Sequence, residues 1–257
     1  MITSISWGQP TSQEIVQAIE QFNTHSQFDL PILSTTQVQS LLNGETLSII
    51  DQQGGENEPR RAVGIRLSSH PKEKLWLSCQ DVHFVQQSST KELRVNQRPP
   101  DSADWYGYLD MPWPFSDRHW FVKVWNNHEL ANKTNNQAWE HPWDLIPNGD
   151  DIVRSHIAAG KLDGVTTEMM DDAVYTPVSR GAWAAMDVAD SSLFIYHATT
   201  QVGGNIPEEV IVRYVRSGLD EMLRNIEKRA ATVMDSHYSG DHPLLPGGDG
   251  KPVPHFK

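Results

Sequence analysis

The sequence has little of what would mark a secreted or membrane-spanning protein. Its 257 residues include one cysteine, Cys79, so an intramolecular disulfide and a paired-cysteine zinc site are excluded. No apolar run approaches the roughly 18 residues of a membrane span, and residues 1–7 lack the basic and apolar segments of a signal peptide. We therefore expect a cytoplasmic protein with Cys79 as a small buried hydrophobe on a helix.

Basic residues are also scarce, because 21 Lys and Arg stand against 33 Asp and Glu, a net charge of −12. Such a surface repels polyphosphate, so we expect no nucleic-acid partner. Segment 207–230 is an exception, since its five acidic and five basic residues cancel. An acidic protein is repelled by anionic lipid. We therefore expect any transient membrane contact to use this neutral segment and its neighbouring loops, or to favour zwitterionic lipid.

Apolar residues make up only 38% of the chain, yet nine of the residues are tryptophans. Six of the nine fall within 39 positions: Trp105, Trp113, Trp120, Trp125, Trp139 and Trp143. An indole offers a large apolar area and one hydrogen-bond donor, which suits a cavity wall or a membrane-interface rim. For each one taken singly, plain core packing is a more ordinary interpretation than ligand contact.

Hydrophobic periodicity divides the chain into helices and strands. A period of about 3.6 predicts helices over 12–28, 35–42, 71–85 and 207–236. Alternation and flanking turn residues predict strands over 46–51, 61–67, 91–95, 105–110, 120–125, 137–143, 169–178, 181–188 and 192–201. Residues 150–161 are predicted to be irregular or a short helix.

The order of these elements predicts an α+β fold. Short loops between successive strands favour an antiparallel meander, and a 30-residue helix of about 45 Å can cross a whole sheet. An open curved sheet wrapped around such a helix encloses a cavity between them, which suits a small apolar ligand. We expect one domain over 1–238, with N-terminal helices in 1–45. The Pro- and Gly-rich tail over 239–257 is predicted to be an extended arm or disordered.

Two short motifs carry a resemblance to a known family. Residues 111–122 read Met-Pro-Trp-Pro-Phe-Ser-Asp-Arg-His-Trp-Phe-Val, and residues 203–211 read Gly-Gly-Asn-Ile-Pro-Glu-Glu-Val-Ile. The first resembles the proline-rich start of a strand, and the second the Gly-x-x-Pro start of the C-terminal helix, in the steroidogenic-acute-regulatory-related lipid-transfer (START) family. With the element order, the resemblance covers roughly 40–235. It implies a helix-grip fold, a lipid-sized cavity, and binding or transfer of a lipid without chemistry.

The resemblance also implies a buried acid–base pair inside the cavity. The matching base is Arg118, and the acid that matches best is Glu92. Alternation then points Trp120, Val122 and Val124 inward with Arg118. The alternative is that Arg118 is a rim residue that bridges Asp117 or Asp110. The residues expected to contact the ligand are Glu92, Trp105, Arg118, Trp120, Val122, Val124, Trp183, Tyr196, Tyr214 and Met222.

Three functions remain open from the sequence. The first is a non-catalytic protein that binds, or binds and transfers, a sterol, phospholipid or fatty acid, with no cofactor, metal ion or catalytic residue. The second is an enzyme with the same cavity, such as a cyclase or hydrolase of aromatic or polyketide substrates. It would need an inward acid or base, for which the candidates are His119, His141 and His197. The third is a ligand sensor that binds a protein partner through the tail. The sequence does not indicate an oligomeric state.

Overall fold

The computed structural model describes most of the chain: residues 8–51, 59–80, 90–98, 102–204, 206, 208–236, 238, 240 and 244–255. In the helices and strands, the side chains of 97–98, 208–217 and 235–236 are outside the description. The helices are α1 (Ser12–Asn23), α2 (Thr35–Leu42), α3 (Lys72–Gln80), α4 (His128–Lys133), α5 (Gly149–Ala158), α6 (Thr167–Asp172) and α7 (Glu208–Ser236). The strands are β1 (Leu47–Asp51), β2 (Arg61–Ser68), β3 (Thr90–Arg98), β4 (Ser102–Leu109), β5 (Arg118–Trp125), β6 (Ala138–Leu145), β7 (Val174–Tyr175), β8 (Val178–Val188) and β9 (Ser191–Gln201).

In the part of the chain that is described, one nine-stranded sheet runs in the order β1-β2-β9-β8-β6-β5-β4-β3. All neighbours along this path are antiparallel, and the short β7 pairs in parallel with β5. The sheet and its long C-terminal helix confirm the predicted α+β fold. No described helix combines the length and apolar character that crossing a bilayer requires.

The inner face of the sheet is the one turned towards α3 and α7. Gly64 on β2 lets α7 approach, because a Cβ there would lie 2.9 Å from Leu223 Cδ1. Leu75 and Cys79 of α3 pack against Leu223 and against Phe194 of β9 in one cluster. Cys79 is 4% exposed, which confirms the prediction of a small buried hydrophobe. Burial raises the pKa of its thiol.

The outer face is covered by the other helices. Helices α1 and α2 begin at capping boxes, in which Thr11 exchanges hydrogen bonds with Glu14, and Ser34 with Gln37. Their apolar faces join one cluster with outward residues of β2, β8 and β9. Helices α5 and α6 cover the other end, where Val153 and Met170 cluster with residues of β4 and β5. This leaves the inner face as the surface on which a ligand could lie beside α7.

One segment prediction is wrong, and one that was left open is settled. The segment 169–178, predicted as a strand, instead holds the end of α6 and the two-residue β7. Thr166 caps α6 by accepting a hydrogen bond from the amide of Met169. Residues 150–161, left open between irregular chain and a short helix, lie mainly in α5.

The C-terminal tail is packed on the body over its described part, 244–255, which differs from the extended or disordered arm expected. The Trp76 indole donates to Pro246 O at 3.0 Å, and Asn126 Nδ2 donates to Gly247 O at 2.9 Å. Tyr238 Oη accepts from Leu245 N at 2.9 Å and donates to Val253 O. The tail therefore completes the apolar cluster around Trp76.

Candidate functional site

Strand register places the candidate side chains in rows across the inner face. One row joins His141, Trp183 and Tyr196 to Gly64 beneath α7. Because side chains alternate along strands, the remaining inward positions follow from that row. On β5 they are Arg118, Trp120, Val122 and Val124, so the predicted alternation of this strand is confirmed.

A second and third row extend the inner face to the far edge of the sheet. Arg94 of β3 faces Trp105 of β4, which faces Val122 and then Leu145. Glu92 faces Gly107, which faces Trp120. Gly107 is required here, because a Cβ would lie 2.0 Å from the Trp120 indole. The predicted residues Glu92, Trp105 and Trp120 therefore share one face.

Several of these side chains are partly accessible although they lie on the face that α3 and α7 cover. We call them the inner-face cluster: Glu92, Arg94, Trp105, Trp120, Trp143, Leu145, Trp183 and Tyr196. A closely packed interior leaves no room for a probe the size of water. Their accessibility therefore indicates space along the inner face of the sheet, on the side of α3 and α7.

The apolar wall of the site is built from stacked rings. Trp183 stacks on Phe194 with ring centroids 5.3 Å apart and contacts Tyr196 at 4.6 Å. Trp143 stacks on Tyr196 at 5.5 Å. Val122 and Val124 are 4% and 5% exposed and cluster with the tryptophans of β4 and β5. The predicted contacts Trp183, Tyr196, Val122 and Val124 thus line one aromatic and aliphatic surface.

The two predicted contacts on the last helix have different outcomes. Met222 is partly buried on α7, one residue before the buried Leu223. Tyr214 also falls within α7, but its side chain lies outside the described residues.

Glu92 is a carboxylic acid in this apolar surface. Burial raises its pKa to about 7. Burial also raises the pKa of Tyr196, and the negative charge of Glu92 adds to that rise. The site therefore contains an acid that changes charge near neutral pH.

The Glu92→Gln variant tests this pKa. The folded state holds the Glu92 proton more tightly than the unfolded chain, whose pKa is 4.5, so its contribution to stability falls as pH rises through about 7. We expect the variant to be more stable than the parent by about 1–3 kcal/mol at pH 8, with little difference at pH 4.5. Urea unfolding at both values measures the change. Exposed Glu20→Gln is the control, and an equal effect of Glu92→Gln at both pH values would contradict the assignment.

His141 is an inward polar group whose orientation is fixed. Asn126 Nδ2 donates to Gly247 O, so its Oδ1 faces His141 Nδ1 at 2.7 Å and accepts the ring proton. Burial, and then the charge of Arg94, lowers the pKa of His141 to about 3. The neutral ring therefore carries its proton on Nδ1, and its buried Nε2 has no hydrogen-bond partner.

Arg94 is the inward polar group that sequence reasoning missed. Its guanidinium lies over the Trp105 ring, 5.2 Å from the centroid. Strand alternation contained the signal, because Arg94 is two residues from Glu92 and must share its face. Glu92 and Arg118 are thus accompanied by Arg94 and His141 on the inner face, and the expectation of a single charged pair there is too simple.

The predicted ion pair between Glu92 and Arg118 is wrong for the structure described. Arg118 is 2% exposed and donates to four backbone carbonyls instead of a carboxylate. Its Nη2 reaches Gly203 O at 2.9 Å, and its Nε reaches Val202 O at 2.5 Å. Gly203 and Gly204 have φ of +69° and +70°, a region that favours glycine. Arg118 therefore fastens the β9–α7 loop to the start of β5, and the alternative bridge to Asp117 or Asp110 is not formed.

Two of the three candidate catalytic histidines lie on the outer face. His119 Nε2 lies 3.4 Å from Asp150 Oδ1. His197 packs edge-on against Phe28, with ring centroids 5.3 Å apart. Among the candidates, His141 is the one on the inner face. In the described residues, no three His, Cys, Asp or Glu side chains are grouped closely enough to hold a metal ion.

A separate groove of about 480 Å³ opens near the end of β6, with a lining that includes Asp104, Lys123 and Asp144. Asp104 and Lys123 alternate with the inward residues of β4 and β5, so the groove lies on the outer face. Its lining also includes Trp125, Leu145, Ile146 and Pro147, so charged and apolar side chains share it.

Comparison with known proteins supports the fold. No family model and no curated protein sequence matches this chain. Human STARD10 superimposes with a TM-score of 0.53 at 11% identity, covering 73% of this chain and 69% of that one. A STAR-related lipid transfer protein from Xanthomonas axonopodis gives 0.51 at 13% identity, covering 72% and 98%. Human StAR-related lipid transfer protein 5 gives 0.51 at 8% identity, covering 87% and 98%. The chain therefore has the helix-grip fold of START proteins, as its two motifs indicated.

Proposed function

We propose that this protein binds a lipid along the inner face of its sheet, beside α7, and does so without covalent chemistry. The observation that carries the proposal is the inner-face cluster, whose aromatic side chains are partly accessible on the face of the sheet that α3 and α7 pack against. Burying apolar surface contributes about 25 cal/mol per Å². Stacked rings such as Trp143, Trp183 and Tyr196 would supply most of the affinity for an apolar molecule.

The alternatives have weaker support. His141 has Nδ1 committed to Asn126, and its pKa near 3 makes it a poor general acid at neutral pH. A sensor that used the tail as a docking arm would first have to detach it from Trp76. Non-catalytic binding requires neither a general acid nor a detached tail.

Transfer between membranes, a sterol or other lipid as cargo, and a cytoplasmic location belong to the same proposal. Trp113 stands between two prolines in the β4–β5 loop and is 92% exposed. Indole rings favour the interface between water and lipid. In this proposal Trp113 makes the transient contact with a zwitterionic membrane.

The experiment places one bulky side chain on each face of β6. Native mass spectrometry after incubation with a lipid extract should show an apolar molecule bound to the parent. Leu145→Trp fills part of the inner-face space, so we expect uptake to fall about tenfold, a loss of about 1.4 kcal/mol. Asp144→Trp points outward and should leave uptake unchanged.

Failure of the parent to bind any lipid class would overturn the proposal, as would equal effects of the two substitutions. Vesicle-to-vesicle transfer by the parent and by Trp113→Ala then tests the membrane contact, because the variant should bind lipid normally but transfer it more slowly. Equal transfer rates would remove Trp113 from the proposal.

A further inference from the structure

Arg94 carries a largely buried positive charge that no acid among the described residues neutralises. Its Nε is buried without a hydrogen-bond partner. Burial lowers the pKa of Arg94, and no carboxylate in the described part of the chain opposes that shift. Glu92 is two residues away on the same face, but the rise of its pKa has burial as its cause, with no contribution from Arg94. A buried charge is costly unless it is paired.

Two further nitrogen atoms beside Arg94 also lack partners. Trp105 faces Arg94 across the β3–β4 pair, and its indole Nε1 is buried without an acceptor. His141 Nε2 is likewise buried and unpartnered, and the charge of Arg94 is close enough to lower the pKa of that ring. Polar groups buried in this way are normally satisfied. His141 Nε2 is an acceptor, but the unpartnered donors of Arg94 and Trp105 lie on the same face and together point to an acceptor group of the ligand that is held here.

We propose that Arg94 is the counter-ion for the carboxylate of a single-chain amphiphile, with the Trp105 indole N–H as a second donor. This rests on the proposed function, because the acyl chain occupies the space along the inner-face cluster. Arg94 and Trp105 hold the head group at the β3–β4 side of the sheet, and the chain runs from there along Trp120 and Leu145.

The charges favour a carboxylate over other head groups. A guanidinium presents parallel N–H donors that match the two oxygens of a carboxylate. One cation balances one carboxylate, whereas a phosphate dianion beside Glu92 would leave excess negative charge. A choline or other cationic group would face a like charge, and a hydroxyl alone would leave Arg94 unneutralised.

The test compares palmitic acid with cetyl alcohol, which have the same chain and differ in charge. Dissociation constants are measured by quenching of the intrinsic tryptophan fluorescence at pH 7.5 with the full-length protein. We expect the parent to bind the acid at least about tenfold more tightly, as a charged hydrogen-bonded pair gives. Arg94→Met should remove that preference and leave alcohol binding within about threefold. Arg94→Lys should retain part of it.

Lys91→Met is the matched control, since it removes one cation from the same strand at an exposed outward position. It should leave both dissociation constants unchanged. Equal binding of acid and alcohol by the parent would overturn the head-group assignment while leaving the proposed function intact. An equal loss of both ligands in Arg94→Met would show a structural role and also overturn it. Binding of neither by the parent would contradict both proposals for single-chain lipids. If Arg94→Met fails to fold, equal binding of acid and alcohol by the parent, or a full preference for the acid with no change in Arg94→Lys, still overturns the assignment.

Discussion

Arg118→Met is expected to lower the free energy of unfolding by about 3 kcal/mol and to change ligand affinity by less than about threefold. The substitution removes the donors to Val202 O and Gly203 O, as well as those to two carbonyls in the loop before β5. These partly buried acceptors then lose their cationic donor, so the β9–α7 loop loses its attachment. Urea unfolding and lipid titration measure the two effects separately.

Arg154→Met is the control for this result. Arg154 is 36% exposed and pairs with Asp150 and Asp171 at the surface. Exposed ion pairs contribute about 0–1 kcal/mol, so the control should be close to the parent. A variant of Arg118 with unchanged stability but weakened binding would show that the arginine acts on the ligand, and our assignment would be wrong.

Deleting residues 239–257 is expected to lower the free energy of unfolding by about 4 kcal/mol or more, which is comparable to truncating a buried tryptophan. Trp76 is 0% exposed and Trp139 is 3% exposed, and both are covered by the tail. Gly248 lies against Trp139, where a Cβ would come 2.5 Å from the ring. Removal exposes both rings to water and leaves the Trp76 indole without its protein acceptor. Thermal unfolding of the full and shortened chains measures the loss.

Gly248→Ala is a milder version of the same test. Overpacking against Trp139 is expected to lower the free energy of unfolding by about 1–3 kcal/mol. Lys251→Ala is its control, because the Lys251 side chain is 83% exposed. If the shortened chain unfolded at the same temperature as the parent, the tail would not stabilise the fold and would be the arm that its composition suggested.

Local patterns predicted the elements whose signal is long or repeated. Twenty-nine residues of helical period define α7, and strict alternation defines the inward side of β5. The strand predicted over 169–178 was wrong because a run of four to eight apolar-rich residues is compatible with both a short helix and a strand. The prediction for the tail differs from the structure for another reason. Pro and Gly do not form periodic apolar patterns, but they keep backbone carbonyls that accept hydrogen bonds from Trp76 and Asn126.

Alternation along a strand correctly predicted which candidate residues share the inner face. The pairs that these residues form depend on the register between strands, and these were not predicted. Glu92 and Arg118 do share a face, but Glu92 stands opposite Gly107 while Arg118 stands opposite Leu109, so they are separated by two strand spacings and one row. Carbonyls of a loop far along the chain then satisfy Arg118. Such partners depend on tertiary approach, which no spacing within the sequence encodes.

Asn126 connects the end of the chain to the ligand-facing wall. Its amide is held in one orientation by the carbonyl of Gly247, and that orientation selects the nitrogen of His141 that carries the proton. The tail thus acts as the outer end of a hydrogen-bond relay and makes Nε2 an acceptor towards the inner face. Without the tail, the Asn126 amide could turn over and the wall could present a donor instead. The chemical character of the binding surface is therefore set in part by the C-terminal tail, through Asn126.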